Sequence, residues 1–199
     1  MLRLDGVPVR RVPLQVLHRD IAFVPQDNFL FSDTVARNIA FGVEHAEQAE
    51  IEAAAQAACV HDNIMDFPEG YQTLVGERGV TLSGGQKQRV SIARALMKDA
   101  PILVLDDSLS AVDTDTEEQI LKNLKALRQG RTTVIIAHRI STIQHADHIL
   151  VLEDGKAAEY GTHHELLEKG GLYRSLYDKQ QLEKELRESH PADEEGGAV

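Results

Sequence analysis

Three stretches of the sequence predict an α/β fold built on a mostly parallel sheet. The run Ile102-Leu103-Val104-Leu105-Asp106-Asp107 is too continuously apolar for a half-exposed strand. It reads as a parallel strand buried on both faces, with its carboxylates at the C-terminal edge where open α/β sheets bind ligands. Residues 132–137 make a second apolar strand, ending at His138. Ahead of both, Thr81-Leu82-Ser83-Gly84-Gly85-Gln86-Lys87-Gln88-Arg89 reads as a glycine-containing turn that opens a helix. Ser83 is a good N-cap with Gln86 as its capping-box partner, and Val90, Ala93, Leu96 and Met97 follow at helical spacing. A helix start of this kind attracts an anion and an acid pair at a strand end attracts Mg²⁺, which together suggest nucleotide phosphate.

From the N-terminus, Leu2 and Leu4 before Asp5-Gly6 predict a short strand and turn, and Ile21-Ala22-Phe23-Val24 a strand stopped by Pro25-Gln26. Residues 29–34 form a hydrophobic turn before a short helix that runs to Phe41-Gly42. Residues 46–58 are alanine-rich and strongly helix-forming, and 62–67 add a helical turn before Pro68-Glu69-Gly70-Tyr71. Residues 28–85 are therefore a helical insert between two sheet-forming portions. Thr114 with Glu117 reads as a capping box for a helix to about Leu127. Residues 145–151 and 157–160, joined by Glu153-Asp154-Gly155-Lys156, carry a hairpin signal, and Thr162 caps a further helix with Glu165 as its partner. His163 and His164 point to different sides of that helix, so they read as solvated cap residues rather than metal ligands. One domain is expected over 1–178, followed by a charged tail, 179–199, that frays from helix into disorder.

A chain of 199 residues with 42% hydrophobic and 27% charged residues is long enough and apolar enough for a sizeable globular core. Its formal net charge of -11, with no basic patch, argues against a nucleic-acid partner. Cys59 is the only cysteine, so no internal disulfide can form, and its place among alanines reads as a small buried helix residue. No apolar run approaches the roughly 20 residues needed to span a bilayer and no signal peptide is visible, so any membrane connection is expected through partners.

The order and spacing of Leu82-Ser83-Gly84-Gly85-Gln86 and the 102–107 strand resemble the signature motif and Walker B strand of an ABC-type ATPase domain, over roughly residues 1–178. The resemblance implies a P-loop NTPase-like fold, ATP and Mg²⁺ as ligands, and a head-to-tail dimer with a second nucleotide-binding domain. By that resemblance Gln26 is the Q-loop residue that approaches Mg²⁺ and the attacking water, Asp106 holds Mg²⁺, Asp107 takes the place of the water-polarising acid, and His138 is the switch histidine that reaches the γ-phosphate. Ser83, Gly84, Gly85 and Gln86 would face the nucleotide of the opposite domain, and residues 108–113, ending in Asp113, match the D-loop between the two. Gly76-Glu77-Arg78-Gly79 resembles the loop that precedes the signature in exporters, where the helical insert faces transmembrane domains. The implied location is the cytoplasmic face of the plasma membrane.

Two departures qualify that pattern. The sequence contains no Gly-x-x-x-x-Gly-Lys-Ser/Thr loop, so it resembles a domain lacking its N-terminal portion, with exposed apolar surface and no ATP hydrolysis expected of the chain alone. Asp107 stands where the family usually places glutamate. One methylene less leaves the carboxylate about 1 Å short, a displacement that can cost about 100-fold in rate. An aspartate there beside an intact signature resembles the weak-site subunit of heterodimeric exporters. Three functions follow from these features: an ATP-binding subunit or fragment of an exporter; a catalytically silent half-site that interacts or regulates; and an ATPase of chromosome or repair machinery. The last predicts coiled coils and basic charge that the sequence lacks.

Overall fold

The computed structural model describes residues 2–76 and 79–189, so Met1, Glu77, Arg78 and residues 190–199, with the readings placed on them, lie outside the described residues. The chain forms two compact units, Met1–Ala137 and His138–Val199.

The first unit opens with a hairpin, β1 (Arg3–Leu4) and β2 (Val7–Pro8), turned by Asp5 and Gly6, both at positive φ as a two-residue turn requires. Helix α1 (Leu14–Asp20), which the sequence reading did not register, starts directly after Pro13 and leads into β3 (Ile21–Val24). The connection from β3 to β4 (Ile102–Asp106) is helical: α2 (Val35–Ile39), α3 (Gln48–Ala57), α4 (His61–Met65) and α5 (Gly84–Met97). Helix α6 (Thr114–Leu127) then crosses to β5 (Thr132–Ile136). Strands β3, β4 and β5 lie side by side and parallel, with Val24 opposite Leu105 and Asp106 opposite Ile136, so all three end at one edge.

The core of this unit sits between one face of the sheet and the helices. Ala22, Val24, Leu103 and Leu105 pack with Val90, Ile92 and Ala93 of α5, Ile120 and Leu124 of α6, and Ile39 of α2. The other face is open: Phe23 is 54% exposed, Val134 43% and Ile136 48%. The expectation that the 102–107 strand is buried on both faces is therefore half right, since Leu103 and Leu105 are buried while Ile102, Val104 and Asp106 are only half-buried. Two cations, Arg128 buried and Arg94 half-buried, lock the helices to the sheet and to each other. Arg128, at the end of α6, donates to the carbonyls of Ala100, Pro101 and Thr132 and to Thr133 Oγ1. Arg94 of α5 donates to Asn38 O at 2.7 Å and Phe29 O at 3.0 Å. Burial pulls the Arg94 guanidinium below its ordinary pKa, a cost these bonds offset.

Other local expectations change in detail. The cap of α6 is Asp113, whose carboxylate accepts the Thr116 N–H at 2.9 Å, and not Thr114 with Glu117. Cys59 lies just past α3 rather than inside it, at φ 54, in the left-handed conformation that ends helices. Burial raises its thiol pKa, which keeps it protonated.

The second unit holds α7 (Ile140–Ile143), the hairpin β6 (Ile149–Glu153) and β7 (Lys156–Gly161), α8 (His163–Lys169) and α9 (Leu172–Ser189). Asp154 and Gly155, both at positive φ, make the hairpin turn, and Thr162 and Glu165 form the capping box of α8. The unit closes over Ile140, Ile149, Val151, Leu166 and Tyr173. His163 is not a solvated cap residue: half-buried, its Nδ1 lies 2.8 Å from Tyr173 Oη and its ring packs edge-on to Tyr173 and Tyr177. Among the described residues no cluster of His, Cys, Asp and Glu could hold a metal ion by itself. Helix α9 runs through 178 and 179 without interruption.

Candidate functional site

Parallel pairing brings three of the sequence-predicted residues to one edge. Gln26 follows β3 by two residues and is exposed, its carbonyl accepting Asn28 Nδ2 at 3.2 Å. Asp106 is the last residue of β4, and Asp107 turns the chain at φ 44, where an aspartate is tolerated better than a branched residue. The Asp107 N–H donates to Ile136 O at 2.9 Å, which ties the turn to the end of β5. Beside these residues lie two orphaned acceptors. Neither Asn28 Oδ1 nor Ser108 Oγ, both buried, finds a hydrogen-bond partner among the described residues. A sheet edge carrying two carboxylates and unmet polar atoms suits a ligand that brings its own oxygens.

Helix α5 supplies the second element. Ser83 Oγ accepts the Gln86 N–H at 3.2 Å and Gln86 Oε1 accepts the Ser83 N–H at 2.9 Å, the capping box expected from the sequence. The amides of Gly84 and Gly85, in the first turn, have no intrahelical carbonyl to reach. Ser83 and Gly84 are exposed while Leu82, 5% exposed, pins the loop into the core. The Ser83 hydroxyl, which accepts within the cap, keeps its proton for an outward acceptor. A 14-residue helix beginning in this way favours negative charge at its start.

The two elements are joined by a residue that the sequence reading passed over. Gln88, 6% exposed, donates from Nε2 to Ser110 Oγ at 3.2 Å and accepts the Ala111 N–H at Oε1, 3.0 Å away. Ser110 Oγ in turn donates to Asp107 O at 2.8 Å. A polar side chain in register with buried Ser91, Ile92 and Ala95 at i+3, i+4 and i+7 was the available signal. Gly85 is required by the same approach, since a Cβ there would stand 2.7 Å from Ala111 O. Arg89 Nε donates to Gly85 O at 3.3 Å and a second guanidinium nitrogen to Cys59 O, with burial lowering its pKa. Asp113 is engaged as the α6 cap, and the Thr116 N–H holds its carboxyl below the usual carboxylate range.

His138 belongs to the second unit, exposed, with its carbonyl accepting Gln180 Nε2 at 2.8 Å. No helix of the described residues is long and apolar enough to cross a membrane.

A family model described as "ABC transporter" matches residues 1–110. The chain is 51% identical over 179 residues to the "ATP-dependent lipid A-core flippase" of Saccharophagus degradans, covering 90% of this chain and 30% of that protein. It is 52% identical over 185 residues to the "Multidrug resistance-like ATP-binding protein MdlA" of Escherichia coli, covering 93% of this chain and 31% of that one. A solved structure entitled "Structure of a bacterial Atm1-family ABC exporter with ATP bound" is similar with a TM-score of 0.85 at 48% identity, over 89% of this chain and 31% of the other. This chain thus spans 30% to 31% of the length of these relatives.

Proposed function

The chain belongs to the ABC transporter family, and from that premise we propose that it is the ATP-binding portion of an exporter, coupling ATP binding and hydrolysis at a domain interface to transmembrane export. The observation that carries the reading is the hydrogen-bonded path Gln88–Ser110–Asp107, which joins an exposed, anion-favouring helix start to carboxylates at a parallel sheet edge. Ser83, Gly84, Gly85 and Gln86 meet the phosphates held by a second nucleotide-binding domain, while Gln26, Asp106, Asp107 and His138 serve the nucleotide on their own side. Asp113 takes part through the loop it closes. The residues fit Mg²⁺: the ion needs only one or two carboxylates when phosphate oxygens and water complete its shell, and it would neutralise the developing phosphate charge. The insert 28–85 faces transmembrane segments, at the cytoplasmic side of the membrane.

Gln26 orients water, Asp107 accepts its proton, and His138 donates to the γ-phosphate oxygens. Asp107 has the short reach of aspartate, which supports a narrower reading, that this is the weak half-site of a heterodimer that completes its partner's site through residues 82–86. Mg-ATP retention by an intact partner domain, measured with and without this chain, tests the proposal. Tighter retention that Ser83→Arg abolishes supports it; retention indifferent to the chain overturns it. In the native assembly Asp107→Glu should raise turnover, and no gain removes the weak-site reading.

A further inference from the structure

We propose that Gln180, on α9, is a positioning residue for His138. Its side-chain amide grips the backbone on both sides of Arg139: Nε2 donates to His138 O at 2.8 Å and Oε1 accepts the Ile140 N–H at 2.9 Å. An amide that gives to one residue and takes from the residue two along acts on this loop as a neighbouring strand would. Only one orientation of the amide satisfies both groups, because the carbonyl needs a donor and the N–H an acceptor. The bond to the His138 carbonyl fixes the peptide plane that follows the histidine, and with it the direction in which the imidazole leaves the backbone.

The grip is only as firm as α9, and α9 is anchored. Glu159 of β7 caps its first turn, accepting the Leu172 N–H at 3.0 Å and the Tyr173 N–H at 2.9 Å. Tyr173, 1% exposed, enters the core of the unit with its hydroxyl on His163. Tyr177 and Gln180 follow Tyr173 at i+4 and i+7, so the buried tyrosine and the gripping amide share one face of the helix. Ile140, 5% exposed, holds the other end of the loop in the same core. The C-terminal helix therefore sets where His138 is presented, and anything that shifts or frays α9 changes that presentation without touching a nucleotide.

The inference rests on the reading of His138 as a γ-phosphate ligand, and the test separates the two. Gln180→Met keeps the length and removes both bonds. Gln180→Glu keeps an acceptor for Ile140 but sets a carboxylate against the His138 carbonyl. His138→Ala is the control. In the purified chain, Gln180→Met should speed exchange of the Ile140 amide by about tenfold or more while Gln180→Glu preserves its protection. In the native transporter assembly both Gln180 variants should lower kcat by about tenfold with KM for Mg-ATP within about twofold. Unchanged Ile140 exchange in Gln180→Met overturns the grip. A loss of turnover in His138→Ala with none in either Gln180 variant overturns the positioning role alone. Full turnover in His138→Ala overturns the reading of His138, and the inference with it. If Gln180→Met does not fold, Gln180→Glu decides the kinetic comparison.

Discussion

Gln88 and Ser110, 22 residues apart in sequence, meet at 3.2 Å, and through that contact the helix that begins at Gly84 holds the carbonyl of Asp107. Replacing Gln88 with methionine keeps the volume and strips both hydrogen bonds, stranding the Ala111 N–H. A buried donor left in this state costs about 1–3 kcal/mol. Urea unfolding of Gln88→Met should show that loss, and a midpoint within error of the parent would mean that water replaces the amide.

Gly84 and Gly85 are adjacent yet should respond differently. A Cβ on Gly85 meets the Ala111 carbonyl at 2.7 Å, and backbone cannot step aside, so Gly85→Ala should cost about 1–3 kcal/mol and loosen the Asp107 turn. A Cβ on Gly84 meets only Ala111 Cβ, at 3.6 Å, so Gly84→Ala should leave stability within about 0.5 kcal/mol. Thermal unfolding of the pair distinguishes the positions, and equal losses would contradict the described approach.

The Asp113 cap carries a pH dependence. The Thr116 N–H lowers its folded pKa, so its stabilisation is complete above the unfolded value of about 3.9 and is lost as pH falls through the lower folded value. Asn caps equally well and does not titrate. Between about pH 5 and pH 2 the stability of Asp113→Asn relative to the parent should therefore rise, as followed by acid unfolding.

His163 bears on the second unit at milder pH. Burial, then the neighbouring His164 and His145, lower its pKa, so the fold holds it neutral beside Tyr173. A histidine with a lowered folded pKa contributes fully above the unfolded value of about 6.5, and its contribution is lost as pH falls through the folded one. Amide exchange across α8, corrected for its intrinsic pH dependence, should quicken below about pH 6.5 in the parent and stay flatter in His163→Gln. Identical profiles would assign the change to another group.

Much of the local chemistry whose partners lie within one turn was legible in the sequence. Ser83 with Gln86, Thr162 with Glu165, and the Asp5-Gly6 and Asp154-Gly155 turns all form as read. The α6 cap was misplaced by one residue because Asp113 and Thr114 each have a plausible partner three positions on. Burial decides between them: Glu117 is 3% exposed, drawn inward with Ile120, and Asp113 takes Thr116. The carboxylates of Asp106 and Asp107 at a sheet edge followed from strand reading, whereas Gln26 read by itself only as a strand stop and entered the site through the family resemblance. What joins that edge to α5, and α9 to His138, did not, because Gln88 and Gln180 act across 22 to 42 residues through contacts that only the packed chain creates.

The open face of the β3–β4–β5 sheet, with Phe23, Val104 and Val134 in register across it, bears on how copies of the chain behave in bulk solution. At a formal net charge of -11 they repel one another in dilute buffer. That repulsion reaches about 10 Å at 0.1 M salt and about 3 Å at 1 M, whereas the attraction between apolar faces does not weaken with salt. Light scattering should therefore find a second virial coefficient that turns from positive to negative as salt is raised, and the chain should salt out earlier than its acidity alone suggests.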